Sequence, residues 1–279
     1  MTEAAFRTAG IIGWPVGHSR SPLLHGHWLR RHGIAGAYVP LPVQPGRMAE
    51  AVRGLAALGF AGCNVTVPHK EAALSAVDAA DPLARRIGAV NLIVARPDGS
   101  THGGNTDAYG FIANLKDCCP GWRAEDGPAV VLGAGGSARA VVVGLLDAGV
   151  PEVRLLNRTR ARAEELAGAH DPRLVVAEWE NMATAFTDAT LLVNTTSLGM
   201  QGQPPLEIGL AALPLRAAVA DLVYVPLETA LLAAARRRGN PVVDGLGMLL
   251  HQAVPSFEAW FGVRPEVTAE LRALVAATL

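Results

Sequence analysis

The sequence has few cysteines, few aromatic residues and almost no net charge. Its 279 residues include three cysteines, 5% aromatic residues, and 25 acidic against 24 basic residues, a formal net charge of -1. Three cysteines are too few for a disulfide framework or a zinc cluster. A balanced charge gives no positive field that would hold nucleic acid or anionic lipid. We therefore expect a cytoplasmic protein that binds small molecules and no metal. The sequence does not distinguish a monomer from a homodimer.

The chain also lacks a long uninterrupted hydrophobic run. No stretch approaches the roughly 18 apolar residues that a membrane span requires, and no basic segment precedes an apolar run at the N-terminus. Half of the residues are nevertheless hydrophobic. This content, in a chain of this length, supports a sizeable core and predicts two domains.

A glycine-rich turn near the middle of the chain is the most informative motif. Ala129–Ala140 reads AVVLGAGGSARA, an apolar strand that leads into a glycine turn and a small-residue helix. The spacing Gly133-x-Gly135-x-x-Ala138 fits the dinucleotide fingerprint, and the helix N-terminus favours phosphate. Such turns also occur without a ligand, but the strand and helix around this one favour a Rossmann-type nucleotide domain. The residues expected at the cofactor are Gly133, Ala134, Gly135, Gly136, Ser137 and Ala138.

The next strand ends in a basic segment that discriminates between the two nicotinamide cofactors. An NAD site usually has an acidic residue there to bind the ribose diol, whereas a 2′-phosphate calls for arginine. This sequence reads NRTRAR, with no acid at the position. NADP is therefore favoured over NAD, and the alternative is a solvated basic start of a helix. The residues concerned are Asn157, Arg158, Thr159 and Arg162.

The first hundred residues alternate between predicted strands and helices and contain several candidate polar groups. Ser19 and Ser21 lie at the start of a predicted helix, with Ser21 as its N-cap, where two hydroxyls suit a carboxylate. Asn64 and Thr66 project to one face of a predicted strand, where they either bond to neighbouring backbone or line a cavity.

Two further residues could carry acid–base chemistry. Lys70 opens a helix, although a cation in a first turn opposes the helix dipole, so local stability does not explain it. Its proton would be easier to lose there if the amine were partly desolvated. Asp107 opens a later helix and could pair with Lys70 if the fold brings the two segments together. The alternatives are a solvated surface lysine and an ordinary acidic first-turn residue.

The remaining segments predict parallel strands and a long final helix. Apolar strands end near residues 194 and 224, and Thr195 follows the first of them, where ligands lie in open α/β sheets. Gln252 is polar within an apolar helix over residues 244–261, and Pro255 should kink that helix or break a backbone bond in it. An amphipathic tail over residues 265–277 should pack on the first domain.

Taken together, the motifs resemble the shikimate/quinate dehydrogenase family over essentially the whole chain. The matching runs are GHSRSP, NVTVPHK, IGAVN, GNTDAYGF, GAGGSARA, NRTRAR, NTTSLGM, DLVYVPLET and DGLGMLLHQA. The resemblance implies reversible NADPH-dependent reduction of 3-dehydroshikimate to shikimate in aromatic amino acid biosynthesis. It also implies an α/β fold of two domains, with residues 1–106 and 246–279 binding substrate and a doubly wound domain over 107–245 binding NADP.

The same resemblance assigns roles to individual residues. Lys70 would be the catalytic acid or base, supported by Asp107, and Ser19 and Ser21 would bind the substrate carboxylate. The ring hydroxyls would be held by Asn64, Thr66, Asn91, Asp107 and Gln252. Tyr224 and Gly245 would lie at the substrate and the nicotinamide, and Leu222 at the cofactor.

The sequence departs from the family pattern at Gly26, Leu92 and Pro255, none of them in the inferred acid–base pair. A quinate or aminoshikimate dehydrogenase would keep every motif. A folate-linked methylene dehydrogenase could share the two-domain plan, but nothing in it calls for the paired serines. A non-catalytic NADPH or metabolite sensor would not need an acid–base pair.

Overall fold

The computed structural model describes residues 6–168 and 171–279, which divide into two compact units. The first contains the described residues up to Asp107 together with Gln252–Thr278, and the second contains Ala108–His251. The chain therefore passes between the units twice. The second passage lies inside a helix, later than the expected boundary after residue 245.

The first unit contains a mixed sheet with helices packed around it. Its strands are β1 (Arg7–Gly13), β2 (Gly36–Pro42), β3 (Phe60–Val65), β4 (Ala79–Ala80), β5 (Leu92–Ala95) and β6 (Thr101–Gly104). Its helices are α1 (Ser21–Arg31), α2 (Met48–Ala57), α3 (Lys70–Ala76) and α4 (Pro82–Ile87). The strand order is β2-β1-β3-β5-β6-β4, with β5 antiparallel to both of its neighbours.

Alternate residues along the strands of this sheet are buried on one face. Ile12, Cys63, Val65 and Ile93 are almost fully buried and pack together with apolar residues of α2 such as Val52. Side chains at every second strand position point to one face, so this face is dry and forms the core of the unit.

The second unit is built on a parallel doubly wound sheet. It contains most of α5 (Asp107–Cys118) and the start of α10 (Gly245–Phe261), together with the elements β7 (Ala129–Leu132), α6 (Gly136–Ala148), β8 (Val153–Leu156), α7 (Arg160–Ala167), β9 (Leu174–Ala177), α8 (Met182–Phe186), β10 (Leu191–Asn194), β11 (Ala218–Asp221), α9 (Ala230–Arg238) and β12 (Val242–Val243). The order is β12-β11-β10-β7-β8-β9, and every pairing is parallel. This is the Rossmann order, with its reversal between β7 and β10.

Both faces of the second sheet are buried, as parallel sheets require. Val131 belongs to the apolar cluster on one face, which includes Val141 of α6, whereas Val130 and Leu132 belong to the cluster on the other, which includes Leu231 of α9. The predicted α/β class and doubly wound domain are thus confirmed.

The C-terminal segments belong mainly to the first unit. Helix α10 continues through Pro255 without ending, so the predicted disturbance does not interrupt it. Helix α11 (Ala269–Ala276) packs on α1, where Trp28 Nε1 donates to the Glu266 carbonyl at 3.2 Å and Arg31 pairs with Glu270 at 3.3 Å. The amphipathic tail therefore packs on the first unit as expected. Among the described residues, no helix combines the length and apolar character needed to cross a membrane.

Candidate active site

A lysine and an aspartate from two separate helices form an ion pair in the first unit. Lys70 is the first residue of α3, and its Nζ lies 2.6 Å from Oδ2 of Asp107, the first residue of α5. Their side chains are only 16% and 7% exposed. Strands β3 and β6 are both antiparallel to β5, so their carboxyl ends lie at the same edge of the sheet and the helices that follow them begin there. The sheet topology therefore brings the two helix starts together.

The carboxylate of Asp107 is fixed by a buried amide. Asn91 Nδ2 donates to Asp107 Oδ1 at 2.8 Å, while Lys70 holds the other carboxylate oxygen. Asn91 itself is held because its Oδ1 accepts the Thr106 N–H at 2.8 Å. The Asp107 N–H donates to Asn105 Oδ1 at 3.0 Å. Each oxygen of the carboxylate thus has one donor, and the ion pair has a single defined geometry.

Polar side chains from α10 and from the turn before α5 adjoin this pair. Gln252 Oε1 lies 3.4 Å from both Asn91 Nδ2 and Thr106 Oγ1. Thr106 lies within the run GNTDAYGF but is not among the site residues predicted from the sequence. A threonine before a helix is typical of a cap, so nothing in the local pattern separates the two roles.

Asn64 is buried and almost fully bonded within the protein. Its Nδ2 donates to the Asn91 carbonyl at 3.0 Å and to Ser256 Oγ at 2.9 Å, and its Oδ1 accepts from Tyr38 Oη at 2.8 Å. Of the two expected alternatives, backbone bonding is therefore present. A lone pair of Oδ1 stays available to a ligand.

The serine-containing segment adopts a different cap from the one expected. Arg20, not Ser21, is the N-cap residue of α1, and no side chain caps the helix. The reason is that the Arg20 carbonyl already accepts the first helical hydrogen bond, from Leu24 N–H at 3.1 Å. Ser21 is buried as the first helical residue, and its N–H donates to Ser19 Oγ at 3.3 Å. Thr66 follows β3, and the approach of its methyl group leaves no room for a Cβ at Gly13.

The glycine turn of the second unit has the form that a bound pyrophosphate requires. Gly133 has φ +105°, and a Cβ there would lie 2.7 Å from Thr195 Oγ1, so glycine is required. The Thr195 hydroxyl donates to the Leu132 carbonyl at 2.7 Å. No side chain caps α6 at Gly135, and the space beside Gly135 and Gly136 is open. The N–H groups of the first turn of α6 therefore remain available to an anion.

The arginines after β8 divide into one that is paired and two that are not. Arg160 forms ion pairs with Glu164, at 2.6 Å, and with Glu178. Arg158 and Arg162 are exposed and form no ion pair within the described residues. Asn157 Nδ2 donates to the Thr159 carbonyl at 2.8 Å and so shapes the turn. Two unpaired guanidinium groups without a nearby acidic ribose ligand fit a 2′-phosphate.

A buried carboxylate supports the loops at the carboxyl edge of this sheet. Asp221, at the end of β11, accepts hydrogen bonds from Asn194 Nδ2, Thr229 Oγ1 and the Val223 N–H, at 2.9, 2.7 and 3.0 Å. Burial raises the pKa of Asp221 to about 6. Nothing in the sequence indicates this network, because an acid that ends an apolar strand gives no signal for its partners.

The expected cofactor residues beyond these strands lie in the same unit. Leu222 follows Asp221 directly, and a Cβ at Gly245 would lie 2.3 Å from the Leu222 carbonyl. The structure thus places Leu222 and Gly245 together and explains the glycine. Tyr224 is half-buried two residues further along the chain.

A doubly wound sheet carries an open glycine turn, and a second α/β unit carries a lysine–carboxylate pair. Together these features indicate a dinucleotide-dependent oxidoreductase. Comparison with known proteins specifies the class. Three family profiles match, namely Shikimate dehydrogenase substrate binding domain over residues 11–93, Shikimate / quinate 5-dehydrogenase over residues 121–200 and Shikimate 5'-dehydrogenase C-terminal domain over residues 245–274.

Individual relatives match over nearly their full length. Shikimate dehydrogenase (NADP(+)) of Paramagnetospirillum magneticum is 60% identical over 269 residues, covering 96% of this chain and 98% of that protein. The solved shikimate 5-dehydrogenase of Thermus thermophilus, in complex with NADP(H) and shikimate, has a TM-score of 0.88 at 36% identity, covering 98% and 100%. Quinate dehydrogenase of Corynebacterium glutamicum, in complex with NAD, has a TM-score of 0.90 at 30% identity, also covering 98% and 100%.

The chain belongs to the shikimate dehydrogenase family. It is an oxidoreductase, and its cofactor is NADP.

Proposed function

We propose that this protein catalyses the reversible NADP-dependent reduction of 3-dehydroshikimate to shikimate in aromatic amino acid biosynthesis. The observation that carries the proposal is the Lys70–Asp107 ion pair, held by Asn91 beside Gln252. The first unit would bind the substrate and the second would bind NADP. Relatives named shikimate dehydrogenase (NADP(+)), which match nearly the whole chain, support this substrate and cofactor.

NADP, when bound, supplies or accepts the hydride at the substrate carbon. Lys70 is the general acid in the direction of reduction, because its ammonium can give a proton to the carbonyl oxygen as that oxygen gains charge. In the direction of oxidation the neutral amine takes the hydroxyl proton back. Asp107 orients the amine through the 2.6 Å contact and balances its charge.

The remaining polar groups would bind and orient the substrate. Ser19 and Ser21, at the start of α1, would hold its carboxylate. Asn64, Thr66, Asn91, Asp107 and Gln252 would bind its hydroxyl groups. The hydrogen bonds that join Asn64, Asp107 and Gln252 to Asn91 support this grouping. Fixing several hydroxyl groups at once aligns the reacting carbon and reduces the entropic cost of the reaction.

The second unit would hold the cofactor through its glycine turn and through residues that follow β8, β10 and β11. The pyrophosphate would bind Gly133, Ala134, Gly135, Gly136, Ser137 and Ala138. Arg158 and Arg162 would bind the 2′-phosphate, with Asn157 and Thr159 shaping the turn. Thr195, Leu222 and Gly245 would lie along the nicotinamide half, and Tyr224 would contact the substrate.

A quinate dehydrogenase is the second candidate, because the quinate dehydrogenase of Corynebacterium glutamicum has a TM-score of 0.90 to this chain. The structure of that quinate dehydrogenase is a complex with NAD, whereas this chain has unpaired arginines at the position where the 2′-phosphate of NADP would be recognised. An aminoshikimate dehydrogenase or an NADPH sensor that does not turn over substrate is the further alternative.

The purified protein should be assayed with shikimate or quinate as substrate and NADP+ or NAD+ as cofactor, by the absorbance of the NADPH or NADH formed. We expect the highest kcat/KM with shikimate and NADP+. A higher kcat/KM with quinate would assign the second candidate instead. Binding of NADPH without turnover of either substrate would identify a sensor.

A further inference from the structure

We propose that Tyr38 is a positioning residue that sets the hydrogen-bonding direction of a substrate-binding side chain, Asn64. The inference rests on the proposed function of the first unit. Tyr38 lies on β2, away from the Lys70–Asp107 pair in sequence, and it is 7% exposed. It therefore acts through its neighbours.

The phenol of Tyr38, on β2, bonds a side chain on β3. Its Oη donates to Asn64 Oδ1 at 2.8 Å. A phenol has one proton, and an amide oxygen only accepts. The proton of Tyr38 is therefore committed to Asn64.

The orientation of the Asn64 amide follows from its hydrogen-bond partners. The Asn91 carbonyl can only accept, so it faces Nδ2 of Asn64, and Ser256 Oγ takes the second amide hydrogen. Oδ1 then faces Tyr38, and its second lone pair is the part of the amide left for a ligand. Asn64 can therefore accept a hydrogen bond from a substrate hydroxyl but cannot donate one.

Aromatic packing holds the phenol in place. The imidazole of His25 stacks on the Tyr38 ring with centroids 4.0 Å apart and planes 6° apart, and the Trp260 ring lies 5.9 Å away. His25 is fully buried, and desolvation lowers its pKa to about 3, so the stacked ring is uncharged at neutral pH. The phenol hydroxyl is consequently presented from a rigid ring.

The test is the variant Tyr38→Phe, which keeps the ring and removes only the hydroxyl. Loss of one buried hydrogen bond that orients the site should raise the KM for shikimate about ten-fold. The KM for NADP+ should stay within about two-fold, since the second unit is untouched. A rise in the KM for shikimate without a rise in the KM for NADP+ distinguishes a positioning role from a general loss of folded protein.

Thr101→Val is the matched control. Thr101 is also buried in the first unit, and its hydroxyl donates to Asp78 Oδ2 at 2.9 Å, away from the site. It should lower the urea midpoint as Tyr38→Phe does while leaving the KM for shikimate unchanged. An unchanged KM in Tyr38→Phe would overturn the inference.

A double-mutant cycle with Asn64→Ala tests the route of the effect. If Tyr38 acts through Asn64, the two changes together raise KM by less than the product of their separate effects. Effects that multiply independently would contradict the inference. If wild-type protein turns over quinate instead of shikimate, the proposed function fails, and the same cycle measured with quinate still decides the role of Tyr38.

Discussion

At the scale of single residues, Lys70 occupies a position that local stability does not explain. A cation in the first turn of a helix opposes the dipole, and a partly buried ion pair repays little of its desolvation cost. The contact with Asp107 is nevertheless short and has a defined geometry. The proposed acid–base role would account for a lysine at this place, whereas the requirements of α3 do not.

Lys70→Met tests this role directly. Removing the proton donor should lower kcat about 10²- to 10⁴-fold, because general acid–base catalysis contributes on that scale. The KM for shikimate should change much less, since the other polar groups still bind the ring. Steady-state kinetics will separate the two parameters. The control is Lys116→Met, which replaces an exposed lysine of α5 and should keep the wild-type kcat. A wild-type kcat in Lys70→Met would show that Lys70 is not the acid or base.

His25 predicts a pH dependence of stability. Burial lowers its pKa from 6.5 to about 3, so the unfolded chain binds this proton more tightly than the folded protein. The contribution of neutral His25 to the free energy of unfolding is complete above the pKa of the unfolded chain. It is lost as the pH falls from about 6.5 towards 3. Between pH 7 and pH 5 the loss amounts to about 2 kcal/mol. Urea unfolding of wild type and His25→Leu at both pH values measures it.

The comparison with His25→Leu cancels the titration of the other histidines. We expect the leucine variant to lose about 2 kcal/mol less than wild type between the two pH values. Equal losses would show that His25 does not titrate in this way, whatever the stability of the variant at pH 7.

At the scale of elements, the sequence predicts most helices and strands but not the contacts between distant ones. The apolar run before Gly133 and the small residues after it predict β7 and α6 because the pattern is local. The position of Ser21 predicts an N-cap for the same local reason, whereas the cap of α1 is Arg20. Tyr38 is an ordinary strand tyrosine in the sequence, so its bond to Asn64 becomes visible only when β1, β2 and β3 are adjacent.

Helix α9 begins at a residue with two functions. Thr229 Oγ1 accepts the Leu232 N–H at 3.3 Å as the N-cap, and the same hydroxyl donates to the buried Asp221 at 2.7 Å. Thr229→Val keeps the shape but removes both bonds. We expect a loss of about 2–3 kcal/mol in the free energy of unfolding at pH 7, because a buried carboxylate loses a donor. Urea denaturation measures this loss.

Thr229→Ser is the matched control, because serine retains the hydroxyl and caps helices well. It should recover most of the stability lost in the valine variant. A serine variant as unstable as the valine variant would mean that the threonine methyl, not the hydroxyl, holds the start of α9.

At the scale of the whole molecule, the order of motifs predicts the two-unit architecture. The parallel strand order of the second unit follows from alternating strand and helix patterns, because crossovers between parallel strands are right-handed. The antiparallel β5 of the first unit follows from the short turn over residues 97–99, which permits only a hairpin. The same order of motifs does not locate the passage inside α10, since a continuous helical pattern has no signal for a boundary.

We proposed that the first unit binds the substrate and the second binds NADP. This proposal predicts that shikimate and NADP+ raise the thermal stability independently of each other. A ligand at 100 times its Kd stabilises the folded state by about 2.7 kcal/mol, which raises Tm by a few degrees for a chain of this size. Arg158→Ala should reduce the shift caused by NADP+ while leaving the shifts caused by NAD+ and shikimate unchanged. Differential scanning fluorimetry with each ligand alone measures all three shifts.

Arg160→Ala is the control for this prediction, because Arg160 is already paired with Glu164 and Glu178 and should contribute little to phosphate binding. Its three ligand shifts should match those of wild type. An NADP+ shift that survives in Arg158→Ala would exclude Arg158 from recognition of the 2′-phosphate. Loss of the shikimate shift in the same variant would contradict the assignment of the two ligands to separate units, because Arg158 lies in the second unit and the Lys70 site in the first.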